Sequence, residues 1–250
     1  MLKTFSITDI GKKRKMNQDY VYSSEQPVGN LTNLFLVADG MGGHNAGDYA
    51  SRVTVETIVE KVGGSMETDP ARILGEAIQE ANTLVRKRAA RFPWLEGMGT
   101  TVVAATCVGN TLYVANVGDS RLYVINNKEI RQITKDHSWV EEMVERGELG
   151  REDARTHSSK NIITRAVGAE DTVKVDSFVV PLDEGDEILM CTDGLTNMLE
   201  DEEMRMILDG ARDIVEKAQE LVKAANEHGG RDNISVILIA DCASENGEHI

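Results

Sequence analysis

The sequence predicts an α+β fold, and three observations carry that expectation. Apolar runs of strand length recur along the chain, at residues 34–38, 101–108, 111–117, 121–125, 173–180, 187–191 and 234–241. The Gly109-Asn110 pair joins two of these runs and Asn126-Asn127 follows another; two-residue turns of this chemistry make hairpins, so much of the sheet is antiparallel. Between the runs stand stripes with helical spacing, each apolar on one side and so fitted to cover one face of a sheet. Runs that are apolar on both sides, such as residues 236–239, belong to sheets buried between layers.

The helices can be placed from their spacing and their ends. Val55, Ile58, Val59 and Val62 follow i, i+3, i+4, i+7 and stop at Gly63-Gly64. Leu74, Ala77, Ile78 and Ala81 repeat the spacing behind an Asp69 cap with Pro70 at the first helical position. Ile214, Ala218, Leu221, Val222 and Ala225 form a third stripe that ends before Gly229-Gly230. Residues 136–168 differ: they are polar, carry short helical pieces such as 140–146, and read as a surface insertion or flap. With only four prolines and no linker, residues 1–243 are expected to form a single domain, followed by a polar tail at 244–250.

Composition sets limits on function. The 250 residues hold 27 basic and 42 acidic side chains, a net charge of −15. That balance argues against a nucleic-acid or anionic-membrane binder, which needs a basic face. It also means that an anionic substrate would be repelled unless a cation intervenes. Cys107, Cys191 and Cys242 have neither metal-ligand nor redox spacing and read as reduced, buried thiols. The first residues lack the apolar stretch of a signal peptide, and no run approaches a membrane span. A cytoplasmic protein is expected.

The chemistry lies in where aspartates fall. Asp39 follows the run 34–38, Asp193 follows 187–191, Asp232 precedes the run at 234, and Asp19 precedes Tyr20-Val21-Tyr22. A strand end is an expensive place for a bare carboxylate, and four such placements point to convergence on a cation whose charge offsets the desolvation. One Asp-Gly pair is more simply a turn, and Asp119 in Gly118-Asp119-Ser120 more simply a loop cap. The number of sites, together with the Gly-rich stretch Gly40-Met41-Gly42-Gly43-His44, outweighs that reading. Oxygen ligands without a Cys or His cluster select Mg²⁺ or Mn²⁺. Two such ions ~3.5–4 Å apart activate a water and clamp a phosphoryl group. Lys12, Lys13 and Lys15 read as a solvated edge, whereas the planar fork of Arg14 suits a bidentate phosphate contact.

Other phosphate chemistries are missing from the chain. It has no nucleotide P-loop, no Cys followed six residues on by Arg, and no kinase catalytic motifs. Gly40-Met41-Gly42 falls short of a dinucleotide fingerprint, because Asn45 stands where the third glycine belongs.

Six segments occur in order: Arg14-Lys15-Met16-Asn17-Gln18-Asp19, Val37-Ala38-Asp39-Gly40-Met41-Gly42-Gly43-His44, Met98-Gly99-Thr100-Thr101, Ala115-Asn116-Val117-Gly118-Asp119-Ser120-Arg121, Cys191-Thr192-Asp193-Gly194-Leu195 and Gly230-Arg231-Asp232-Asn233-Ile234. Together they resemble the PPM-type (type 2C) metal-dependent protein serine/threonine phosphatases, especially the short bacterial members. The resemblance spans about residues 6–241. It implies a four-layer αββα sandwich of two central antiparallel sheets flanked by helix pairs, and hydrolysis of phosphoserine and phosphothreonine in proteins by direct attack of a metal-bridging hydroxide.

By that resemblance Asp39 bridges two Mn²⁺ or Mg²⁺ ions, the Gly40 carbonyl binds one, Asp193 and Asp232 complete the other site, and Asp19 holds metal-bound waters. Asp119 and Asp193 correspond to a third ion of bacterial relatives, Arg14 takes the substrate phosphate, and residues 136–168 match the variable flap. The implied partners are phosphoproteins, including a Ser/Thr protein kinase, for a monomer that binds neither nucleic acid nor membrane. The chain departs from the family pattern twice. Gln18 replaces a common Glu, which lowers the local negative charge. Met41 fills a position where many members have a histidine, so the proton donor is open between His44, three residues on, and a metal-bound water. His137, His157, His228 and His249 read as surface residues, with His157 a substrate-contact candidate.

Overall fold

The computed structural model of the chain describes residues 2–43, 46–126, 129–210 and 212–241. Two antiparallel sheets lie face to face. One has five strands in the order β1 (Leu2–Asp9), β11 (Ile234–Asp241), β10 (Glu187–Cys191), β7 (Arg121–Ile125) and β8 (Ile130–Gln132). The other runs β2 (Asp19–Ser24), β3 (Leu34–Met41), β5 (Val102–Val108), β6 (Thr111–Val117) and β9 (Asp176–Pro181), with the short β4 (Gly99–Thr100) paired to the end of β3.

Strand alternation explains the doubly apolar runs. Along β3, Phe35 and Val37 point between the sheets, while Leu34, Leu36 and Ala38 face α1 (Ala46–Gly63) and α2 (Pro70–Arg91). Along β11, Ile237 and Ile239 enter the same inter-sheet layer, whereas Val236 and Leu238 pack with Met204, Leu221 and Ala225 of α6 (Asp201–Leu208) and α7 (Ile214–Glu227). Three apolar layers therefore separate four layers of structure, as the expected αββα sandwich requires. Asp69 caps α2 by accepting from the Ala71 N–H at 2.9 Å, with Pro70 at the first helical position.

The remaining helices are short: α3 (Trp139–Glu145) and α4 (Arg151–Ala154) lie within residues 136–168, and α5 (Asp193–Thr196) directly follows β10. Several elements, β1, β8 and α6 among them, carry too little local pattern to be expected from sequence. Strand β1 alternates Phe5 and Ile7 with Thr4, Ser6 and Thr8, so only half of it is apolar; β8 has three residues, and α6 has eight. The run 173–180 enters the ladder only at Asp176, and before it the Gln79 side chain takes both backbone groups of Val173. The Asn126 N–H donates to the Glu129 carbonyl at 3.0 Å; Asn127, where a turn is expected, lies outside the described residues, as do Cys242 and the tail.

The inter-sheet layer is buried. Phe35, fully buried there, should cost about 3–5 kcal/mol when cut to alanine, while Met206→Ala, at a residue 57% exposed, should stay within about 0.5 kcal/mol. Urea unfolding midpoints measure both, and equal losses would show that this layer does not carry the stability.

Candidate functional site

Strands β2 and β3 place Asp19 directly opposite Asp39. Asp39 is two residues beyond Val37, so by strand alternation it shares the inter-sheet face. The loop after β6 carries Asp119, α5 begins with Asp193, and Asp232 lies two residues before β11. Five carboxylates thus gather where the two sheets end together, and each of Asp19, Asp39, Asp119 and Asp193 feels the charge of others in the set.

Asp19 ties the sheets to one another. It starts a strand of the six-stranded sheet, yet its Oδ2 accepts from the hydroxyls of Thr192 (2.9 Å) and Ser235 (2.7 Å), both at strand ends of the other sheet. Thr192 and Ser235 are bonded to each other as well: the Ser235 N–H donates to Thr192 Oγ1 at 3.0 Å and the Thr192 N–H to the Ser235 carbonyl at 3.1 Å. Burial pushes the Asp19 carboxyl up to about 7 in spite of the two hydroxyl bonds, with help from Asp193 and Asp232. Asp39, Asp119 and Asp193 are raised in the same direction, burial being the main cause and neighbouring carboxylates the second.

Backbone contacts fix Asp39. Its N–H donates to Thr101 Oγ1 at 2.9 Å, and its carbonyl accepts from the Thr101 N–H (2.9 Å) and the Thr100 hydroxyl (2.8 Å). Thr101 Oγ1 also meets Ser120 Oγ at 2.7 Å, so one buried threonine connects the Asp39 strand to the Asp119 loop. That loop requires glycine at 118, where φ is +109° and a Cβ would sit 2.6 Å from the Thr101 side chain. Gly40 is equally confined, since a Cβ there would lie 2.0 Å from the Gly47 carbonyl. The Gln18 amide packs in this corner, its Nε2 2.5 Å from where a Cβ on Gly47 would stand. Met41 ends β3 half-buried beside Met98 and Ala89.

Asn233 holds the loop that leads to Asp19. Its Oδ1 accepts from the Gln18 N–H at 2.8 Å, and its Nδ2 donates to the carbonyls of Ile10 and Met16, both at 2.9 Å. The same loop presents Arg14, which pairs with Asp232 Oδ2 at 2.6 Å through one amino nitrogen and leaves the side chain 49% exposed. Close approach of α5 to β11 depends on Gly194, where a Cβ would fall 1.8 Å from the Asn233 carbonyl.

The donor set fits hard divalent cations. Among the described residues, six buried side-chain polar atoms lack a hydrogen-bond partner, and Asp19 Oδ1, Asp119 Oδ1 and Asp193 Oδ1 are three of them. Buried oxygens of like-charged groups are seldom left unpaired, and a cation supplies what hydrogen bonds do not. All-oxygen donors of this kind suit Mg²⁺ or Mn²⁺, which keep several waters and use few protein carboxylates.

The structure therefore brings together Asp19, Asp39, Gly40, Asp119, Asp193, Asp232 and Arg14. His44 lies outside the described residues, as does His249. Asn233, Thr192, Thr100 and Thr101 join the site from inside the quoted motifs, and Ser235 from one residue beyond the last of them; for Thr192 and Asn233 the available signal is a small polar residue next to a strand-end aspartate.

One expectation is corrected. His137 is not a surface residue: it is 6% exposed, and its Nδ1 accepts from the Gly118 N–H at 2.9 Å while the His137 N–H donates to the Gly118 carbonyl at 2.9 Å. Burial keeps its imidazole below the usual range despite Asp176, 3.1 Å from Nε2. The segment read as a flap is thus anchored at its base to the Asp119 loop. A cavity of about 750 Å³ lies between it and α5–α6, lined by Asp119, Asp193, Asn197 and Lys160 among others. His157 is half-buried, with Nδ1 accepting from the Ser159 N–H at 3.1 Å.

The raised carboxyls set a pH dependence. Between the usual value of 3.8 and about 7, Asp19 is more protonated in the folded metal-free protein than in the unfolded chain. The stability this carboxyl contributes is therefore full below the lower value and is lost as pH rises towards the upper one. Cations favour the charged carboxylates, so the increment in Tm from added Mn²⁺ should be larger near pH 7.5 than near pH 5.5, while Tm in EDTA should fall over the same interval. Scanning calorimetry measures both; a Tm in EDTA that rises with pH would contradict the protonated cluster.

The comparisons with known proteins agree with this geometry. A family model described as protein phosphatase 2C matches residues 11–238. The serine/threonine phosphatase Stp of Listeria monocytogenes is 42% identical over 252 residues, covering 96% of this chain and 96% of that protein. The crystal structure of the serine/threonine phosphatase Stp1 from Staphylococcus aureus superposes with a TM-score of 0.90 at 34% identity, covering 96% of this chain and 95% of that one. The catalytic domain of the serine/threonine protein phosphatase PstP, solved in complex with two manganese ions, superposes with a TM-score of 0.84 at 32% identity, covering 96% and 97%. With a model match over most of its length and relatives at this identity, the chain belongs to the protein phosphatase 2C family.

Proposed function

We propose that this chain hydrolyses phosphoserine and phosphothreonine in proteins as a Mn²⁺- or Mg²⁺-dependent phosphatase, counteracting a Ser/Thr protein kinase. The observation that carries this reading is the set of buried, unpaired carboxylate oxygens at the sheet ends with one guanidinium at their rim. Asp39 and the Gly40 carbonyl would hold one cation, Asp39, Asp193 and Asp232 the other, and Asp119 with Asp193 a third. When bound, these ions supply positive charge for the phosphoryl oxygens and lower the pKa of water.

The chain's own residues do the rest. Asp19 spends Oδ2 on the inter-sheet clamp, which leaves Oδ1 as an acceptor that orients water. Arg14 uses one nitrogen on Asp232, so the rest of its fork is free to receive a phosphate at the exposed edge of the site. Thr100 and Thr101 hold the Asp39 backbone still while charge builds up on the substrate.

Phosphoproteins, including a kinase, are the proposed substrates of a monomeric single-domain chain with residues 136–168 as its flap. Among the described residues no helix is long and apolar enough to cross a membrane, and a cytoplasmic location is proposed from the sequence. Net charge of −15 disfavours a two-metal phosphodiesterase acting on nucleic acid. A phosphopeptide and a phosphodiester assayed side by side, with Mn²⁺ and with EDTA, test the reading. Hydrolysis of the phosphopeptide alone, dependent on Mn²⁺, is expected; full activity in EDTA would sink it.

Two substitutions probe the roles. Asp39→Asn should lower kcat by at least about 10²-fold, the scale of a lost electrostatic contact at a transferring group; unchanged turnover would remove Asp39 from the site. Arg14→Ala should mainly raise KM if the guanidinium grips the ground-state phosphate. A change under about twofold in both kcat and KM, equivalent to ~0.4 kcal/mol, would return Arg14 to the surface.

A further inference from the structure

Lys160 connects the flap to Asp193. Lys160 Nζ donates to Asn197 Oδ1 at 3.0 Å, and Asn197 Nδ2 donates to Asp193 Oδ2 at 2.8 Å. The opposite oxygen of that carboxylate, Asp193 Oδ1, is the buried one without a partner. The Asn197 N–H also donates to the Asp193 carbonyl at 2.7 Å, so both residues sit on a single turn of helix. A helix of four residues has no intrinsic stability, and the terminal torsion of an Asn side chain is soft. An outside anchor is needed to hold the amide with its nitrogen towards Asp193, and an ammonium on the amide oxygen provides it. The ammonium also polarises the amide and strengthens its N–H as a donor.

We propose that Lys160 is a positioning residue for Asp193: through Asn197 it fixes which carboxylate oxygen faces the cation site, and so links cation affinity to the seating of the flap. The proposal rests on the phosphatase reading above. It separates Lys160 from Arg155, which also fastens the flap to this region but does so at the Leu199 carbonyl (3.1 Å) and Glu200 (2.8 Å), away from Asn197. The flap is then a support for the reaction centre, and a bound protein that shifts it changes the grip on the cation.

The test is titration calorimetry of the metal-free protein with Mn²⁺ alone, beside turnover of p-nitrophenyl phosphate across Mn²⁺ concentrations. Outer partners of metal ligands are worth about 10–100-fold in affinity. Asn197→Ala should weaken Mn²⁺ binding about tenfold, at the lower end of that range, and Lys160→Met by roughly three- to tenfold as the more distant partner. The Mn²⁺ concentration for half-maximal turnover should move by the same factor, with higher Mn²⁺ restoring the rate. Lys160→Arg should recover most of the loss, the double variant should bind no worse than Asn197→Ala alone, and Arg155→Met should bind Mn²⁺ as the parent does.

Mn²⁺ affinity unchanged in Lys160→Met, with the parent binding normally, overturns the proposal and leaves the phosphatase reading intact. So does a loss in Arg155→Met equal to that in Lys160→Met, which would mean general loosening of the flap. A rise in KM for the phosphate substrate with Mn²⁺ affinity unmoved also overturns it, since Lys160 would then touch substrate directly. A parent protein that binds no Mn²⁺ defeats the underlying reading as well.

Discussion

The hydrogen bonds that Asp19 accepts from Thr192 and Ser235 join the two sheets at the end where the site lies. Over most of their facing area the sheets meet through apolar contact between side chains such as Phe35, Leu122 and Ile237, which is strong but not directional. The clamp at Asp19 gives that end of the sandwich a fixed geometry. One carboxylate serves the fold with one oxygen and the reaction centre with the other. The separation of the sheet ends, and hence the spacing of Asp39, Asp193 and Asp232, follows from these short bonds.

The same arrangement explains why the centre opposes folding when no cation is present. Asp39 and Asp19 are cross-strand neighbours, and like charges directly opposite one another destabilise a sheet. Hydroxyls and amides satisfy some of the oxygens, and protonation of the raised carboxyls relieves part of the rest. The remainder waits for metal charge. Neighbouring residues respond to this demand: Gly40, Gly118 and Gly194 admit backbone at distances that any side chain would block. Such close approach is what glycine permits and other residues do not.

Much of this was legible in the sequence, for identifiable reasons. Runs such as 34–38 and 234–241 are apolar on both sides because each strand separates two cores, and Asp69-Pro70 announces a helix start without tertiary information. Strand-end aspartates stood out because nothing else at those positions was charged. Other features depend on contacts between distant segments, which local pattern does not record. Strand β1 is half polar because Thr8 and Ser6 face polar groups near the second sheet. His137 carries no local sign of burial; only the Gly118 loop, packed against it, makes it an interior residue. The roles of Asn233 and Asn197 likewise needed the fold, since each bonds to backbone or carboxylate that its own torsions bring into range.

Strand order gives β11 a further significance. It lies between β1 and β10 in the five-stranded sheet, yet it is the last of the described strands along the chain. All eight residues of β1 pair with it, so β1 has no partner in its own sheet until β11 is in place. A ribosome-bound chain stopped short of residue 234 would expose the edges of β1 and β10 together, a template for association with other chains. Asp232, Asn233 and Ser235 arrive with the same segment. The nascent protein therefore cannot complete its cation site before this segment has been made: the residues that close the sheet and those that finish the carboxylate set belong to one stretch of chain.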